Sequence, residues 1–144
     1  MNGKFSYDKE NKVCKIIIPL KPYTKKNSQE IRYKFSPKSG KKVPYIKPSE
    51  NFDIYQRDCG WFLKDIGIDY PVNIKALYYM DTLRRVDITN LHSALHDILT
   101  HFHVIKDDNS KIVVSTDGSR VLYDKENPRT EILITEEELT FKKQ

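Results

Sequence analysis

The sequence predicts an α+β fold: a single domain in which a mixed β-sheet packs against two main helices, with a basic hairpin or loop inserted after the first strand. Three observations predict it. Short β-branched runs stand at residues 13–20, 72–80, 111–116 and 129–135. Two other stretches place apolar residues at three- and four-residue steps, as a helix with one buried face does. Between the first strand and the first helix the composition changes abruptly to lysine and arginine. At 144 residues the chain can bury one substantial core, and neither a repeat nor a linker divides it, so residues 1–144 read as one unit.

Residues 13–20 (Val-Cys-Lys-Ile-Ile-Ile-Pro-Leu) read as a strand halted by Pro19. Residues 21–48 are the basic insertion. Within 21–47 nine Lys and Arg face one acid, Glu30, giving +8 in a chain whose total is +5. Tyr23, Tyr33, Phe35 and Tyr45 are interleaved with these cations. Ser36-Pro37-Lys38-Ser39-Gly40-Lys41 marks a turn, so 31–35 and 42–46 are expected to pair as a hairpin. A generic basic run is usually a solvated loop. Lopsided charge mixed with aromatic rings instead suits a nucleic-acid backbone with bases or sugars packed alongside.

Pro48-Ser49-Glu50 opens a helix with Ser49 as its N-cap. Its apolar face is Phe52, Tyr55, Cys59, Phe62 and Ile66, and Gly67 ends it; Trp61 and Leu63 widen that surface, as core or as a subunit interface. Residues 72–80 alternate as a strand, and Leu77 and Tyr79 on its second face predict a central strand covered on both sides. Asp87 or Thr89 then caps a helix whose buried face is Leu91, Leu95, Ile98, Leu99 and Phe102. Strands at 111–116, 120–123 and 129–135 follow, and residues 136–144 form a peripheral tail. This order is compatible with both helices on one face of the sheet or one on each.

Composition narrows the class. Hydrophobic residues make up 38% and charged residues 31%, which describes a soluble protein. Cys14 and Cys59 lie in apolar contexts without metal-type spacing, so buried free thiols in a reducing cytoplasm are expected. No run has the length of a membrane span and the N-terminus lacks a signal-peptide core, so no membrane partner is expected. Nor is any small-molecule cofactor.

The chemistry gathers in Arg84-Arg85-Val86-Asp87-Ile88-Thr89-Asn90-Leu91, continuing through Asp97 to Asp107-Asp108-Asn109-Ser110. Adjacent arginines suit phosphates, and converging carboxylates suit a hard cation such as Mg²⁺. Asp87 follows the central strand and Asp107 and Asp108 precede the next, so the helix between is expected to bring them together at one end of the sheet. The plain alternative is that Asp87 caps a helix and Asp107-Asp108 decorate a turn. His92 and His96, with His101 and His103, fit no zinc motif and are expected to be exposed.

In this order the residues resemble the RusA-type Holliday junction resolvases of bacteria and their phages. The resemblance rests on Arg84-Arg85-x-Asp87-x-x-Asn90-Leu91, Asp97 and Asp107-Asp108-x-Ser110, supported by Pro22-x-x-Lys25-Lys26-Asn27-Ser28 and Asn127-Pro128-Arg129. It implies a homodimeric, Mg²⁺-dependent endonuclease (Mn²⁺ serving as substitute) that nicks four-way DNA junctions symmetrically in recombination and repair, in the cytoplasm and on the nucleoid. Carried over, the first catalytic and metal-binding aspartate falls on Asp87 and the last on Asp108, with Asp107 beside it. Lys25, Lys26, Asn27, Arg84 and Arg85 fall to DNA contact, and Thr89, Asn90 and Asp97 to support. Two positions depart from the family: Thr89 stands where a second aspartate is usual, and Ser93 where a lysine is. Either Asp107 completes the site, which is the expectation here, or Asp97 contributes from the helix, or the chain binds junctions with little cleavage. A nuclease for other branched or single-stranded nucleic acid on the same scaffold is the remaining reading.

Overall fold

A computed structural model describes residues 1–25, 30–47 and 50–139, those at 30–32 and 45–47 by their backbone. The strand predicted at 72–80 organises it. This strand, β5 (Val72–Met80), pairs from Val72 to Tyr79 with antiparallel β8 (Arg129–Glu136), which pairs with β2 (Val13–Ile18), which pairs in turn with β1 (Lys4–Asp8). The other edge of β5 is shared by two short parallel strands. β6 (Val113–Ser115) lies beside its start, with Val72 opposite Val113, and β7 (Arg120–Tyr123) lies beside its end, with Met80 opposite Tyr123.

Between β6 and β7 side chains take over the ladder. Buried Asn73 accepts from Ser115 Oγ and the Asp117 N–H, each at 2.7 Å, and donates to the Asp117 carbonyl at 3.2 Å. Ser119 Oγ accepts from the Ala76 N–H at 3.0 Å. Backbone groups that the gap would orphan are thereby satisfied.

Alternation decides what the sheet buries. Cys14, Ile16 and Ile18 of β2, Ile74, Ala76 and Tyr78 of β5, and Ile132 and Ile134 of β8 share one face. Against it lie Phe52, Tyr55 and Cys59 of α1 (Glu50–Cys59) and Leu91, Leu95, Ile98 and Leu99 of α2 (Ile88–His101), all in one core. Both helices therefore take the same face. The opposite face, with Ile17, Lys75, Leu77, Tyr79 and Leu133, is only half-buried, so β5 is central in the sheet but not covered on both sides. The basic segment forms a separate two-stranded sheet, β3 (Glu30–Ser36) with β4 (Lys41–Lys47), at the predicted turn.

Three expectations are corrected. The hairpin follows the second strand, because β1 (Lys-Phe-Ser-Tyr-Asp) pairs with β2; its charged ends hid it. α1 stops at Cys59 and gives way to a single 3-10 turn, Gly60–Phe62, rather than running to Gly67. A Cβ at Gly60 would sit 2.6 Å from the Phe102 ring, so the close approach admits glycine, and glycine is a poor helix former. Trp61 then points outward, 83% exposed, instead of joining the core. Cys14 and Cys59 are free and buried as expected, and burial pushes both thiols up to about 12. The proposed cap Ser49 and the tail from 140 onward lie outside the described residues.

Candidate functional site

Topology places the carboxylates. β5 and β6 run parallel, and a helix joining parallel strands carries the chain back to the end at which the first strand began. Ile68 N–H bonds to the Val104 carbonyl at 3.0 Å and Val72 N–H to the Ile112 carbonyl at 2.7 Å, so the 103–112 segment lies beside the start of β5. Asp107 and Asp108 are therefore at the Val72 end. Asp87 stands at the other end of α2, about 15 Å along the helix axis from Asp97. The expectation that the helix would bring these acids to one end of the sheet is overturned.

At the Met80 end, Asp87 is the N-cap residue of α2, but its carboxylate makes no capping bond; its carbonyl accepts from Asn90 and Leu91 N–H at 3.1 Å. The exposed carboxylate is left available. Thr89 is inside the first turn, not at the cap, and is exposed; Asn90 beside it is half-buried. Arg84 and Arg85 are exposed, and neither guanidinium has an ion-pair partner among the described residues. Leu83 beside them is 83% exposed.

At the Val72 end, Asp107 folds back on its own turn, accepting from Asp108 N–H at 2.7 Å and Asn109 Nδ2 at 3.1 Å. The Asp108 carboxyl is raised above its ordinary value. Partial burial is the largest cause, although the side chain stays open to solvent, and a hydrogen bond to Asp107 and the charges of Asp97 and Asp107 add to it. Asp97, half-buried on α2, is paired with Lys25 Nζ at 3.0 Å, and that ammonium also lies 5.6 Å from the centre of the Phe52 ring. Lys25 thus ties the segment after β2 to both helices. Lys26 and Asn27 lie outside the described residues.

Other polar groups are engaged in ways that motif reading missed. His92 and His96 are not exposed. The buried Tyr78 hydroxyl and His92 Nδ1 share a 2.7 Å hydrogen bond, and His96 stacks on His92 with centroids 5.6 Å apart. Burial, then the neighbouring His92, lowers His96 to about 4. The signal available was the i, i+4 spacing on a helix whose buried stripe lies alongside. Arg129 of the Asn127-Pro128-Arg129 motif is a brace. It bonds Asp124 and Glu131 at 2.8 Å and lies 3.7 Å from the centre of the Tyr79 ring.

The cation implied by the resemblance needs oxygen ligands gathered about one point. Asp87, Asp107 and Asp108 do not surround one point within a chain. Among the described residues no three His, Cys, Asp or Glu side chains are grouped to hold a metal ion. The donor types suit Mg²⁺, whereas their placement in a single chain does not. No helix among the described residues is long and apolar enough to cross a membrane. Compared with known proteins, the chain matches no protein-family model, and none of the curated proteins matches it.

Proposed function

We propose that the protein recognises branched DNA, four-way junctions foremost, and that it is a structure-specific endodeoxyribonuclease of the RusA type working as a homodimer. The observation that carries the DNA half is the +8 of residues 21–47, of which +5 falls within the hairpin Glu30–Lys47, a two-stranded sheet separate from the main one. Exposed Arg84 and Arg85 add cations suited to phosphate oxygens beside Asp87. The cleavage half rests on the order of the Asp87, Asp97, Asp107-Asp108 and Asn127-Pro128-Arg129 matches, and on an exposed Asp87 carboxylate that its helix does not use.

Paired nicks related by a two-fold axis require two copies. A second copy also answers the separation of the acids, since Asp87 of one chain can face Asp108 of the other. The test is a labelled synthetic four-way junction incubated with Mg²⁺. Paired nicks are expected, reduced at least about 100-fold in Asp87→Asn and in Asp108→Asn. Mixing the two variants should restore nicking at one site per dimer. Mixtures as inactive as their parents would sink the shared site.

A second reading has a specific observation in its favour. Thr89 and Ser93 replace charged residues at exposed positions of α2, which suits a junction-binding protein with little cleavage. Tight, salt-sensitive binding without any Mg²⁺-dependent product would establish that reading instead.

A further inference from the structure

The hairpin has two chemically different faces, and at residues 33–35 and 41–44 the side chains of both are exposed. Opposed residues of an antiparallel pair share a face, and successive residues alternate. Tyr33 lies opposite Pro44 and Phe35 opposite Lys42, so both rings and the proline ring share one face. Lys34 opposite Val43 and Ser36 opposite Lys41 share the other. Tyr33 and Phe35 are each 65% exposed, and neither belongs to the core. Lys34, Lys38, Lys41 and Lys42 are exposed around them. Leaving two large rings in water forgoes burial that a folded chain normally takes.

We infer that this hairpin is a binding site for an unpaired nucleotide segment, its Tyr33–Phe35 face stacking on bases while the lysines hold the phosphates. The inference rests on the DNA half of the proposed function and not on cleavage. Two residues along a strand separate the ring-bearing positions by about 6.7 Å. That is about twice the ~3.4 Å between nucleotides along a strand, so one base plane fits between two that meet the rings. A base in a closed duplex has no free face to offer, whereas the unpaired nucleotides where branches meet do. Charge selects the occupant. The same hairpin of a second copy would set lysines against lysines, while a phosphate backbone complements them.

The test is fluorescence anisotropy in EDTA with oligothymidylate, oligouridylate and a blunt duplex, so that binding is read without cleavage. Tyr33→Ala with Phe35→Ala should weaken oligothymidylate binding about tenfold or more and leave duplex binding within about twofold. Phe35→Trp should keep the single-strand affinity and Phe35→Leu should lose it, which separates stacking from mere apolarity. Lys34→Gln with Lys41→Gln should weaken every probe and flatten the salt dependence. Matching losses on oligouridylate identify stacking on either sugar, and losses confined to one strand type identify the preferred one. The inference is overturned if the double aromatic variant binds single strands as tightly as the native protein does, if it loses single-strand and duplex affinity equally, or if its only effect is on oligomeric state. Failure to cleave junctions would leave these affinities untouched and would count against the nuclease reading alone.

Discussion

The β5–β8 pair and the β3–β4 hairpin are both antiparallel ladders, and they are built for opposite ends. β5 and β8 meet over eight residue pairs and bury Ile74, Ala76, Tyr78, Ile132 and Ile134 beneath two helices. β3 and β4 meet over seven and show Tyr33, Phe35 and Val43 to solvent. Charge divides the same way: residues 21–47 carry +8 of a total of +5, so the rest of the chain carries −3. A ladder is thus only a scaffold. What decides its role is whether its faces are spent on the core or kept for a partner.

The largest effect should come from the spent face. Ile98→Ala, which opens a cavity under the sheet, is expected to cost about 2–5 kcal/mol in urea unfolding. The Tyr33→Ala/Phe35→Ala pair should leave the unfolding midpoint unmoved. A comparable loss in that pair would mean that the rings are packed and the contrast false.

Acid is the next lever. His96 is held neutral by burial, with a folded value of about 4 against an ordinary 6.5. Its contribution is whole above 6.5 and falls away as the pH drops toward about 4, because only the unfolded chain takes the proton. At about 1.4 kcal/mol per unit the loss is on the order of 3 kcal/mol at most. Unfolding curves at several pH values should show that loss in the native protein and less of it in His96→Gln. Equal acid sensitivity in the two would place the titrating group elsewhere.

Lys25 belongs to the basic segment by sequence and to the folded body by contact. Its half-exposed pair with Asp97 is worth less than about 1 kcal/mol, so Lys25→Gln should be nearly silent in stability. With its charge already matched, it should also weaken DNA binding less than Lys41→Gln does. The smallest effect should be Asp108→Asn. A raised carboxyl is a group that resists ionisation in the folded chain, so stability declines as the pH rises through its titration. The variant should gain a little in melting temperature at neutral pH and lose that gain in acid.

Much of this architecture was legible in the residues. Alternation and β-branching placed 72–80 to the residue, and Ser36-Pro37 through Gly40 placed the hairpin turn, where Gly40 adopts φ +67°. What escaped reading was set by tertiary context. The end of α1 depends on Phe102, more than forty residues away, pressing on Gly60. The candidate site was legible as a list and not as an arrangement. Nothing in the spacing of Asp87 and Asp108 told whether β6 would run parallel to β5, and that relation alone puts the length of α2 between them. The histidines were misread because i, i+4 spacing fixes a shared stripe but not whether the sheet closes over it.

The hairpin's separation from the sheet also bears on solubility. Within the main sheet the outermost strands are short, five residues in β1, three in β6 and four in β7, which leaves little for another chain to extend. β3 and β4 are seven residues each and stand alone, rich in aromatic and β-branched side chains. Such strands template the addition of further strands unless something blocks them. Pro44 offers no N–H, and Lys34, Lys41 and Lys42 repel a like copy. Neutralising those lysines would thus leave an adhesive ribbon, and a precipitate before any change in the folded body.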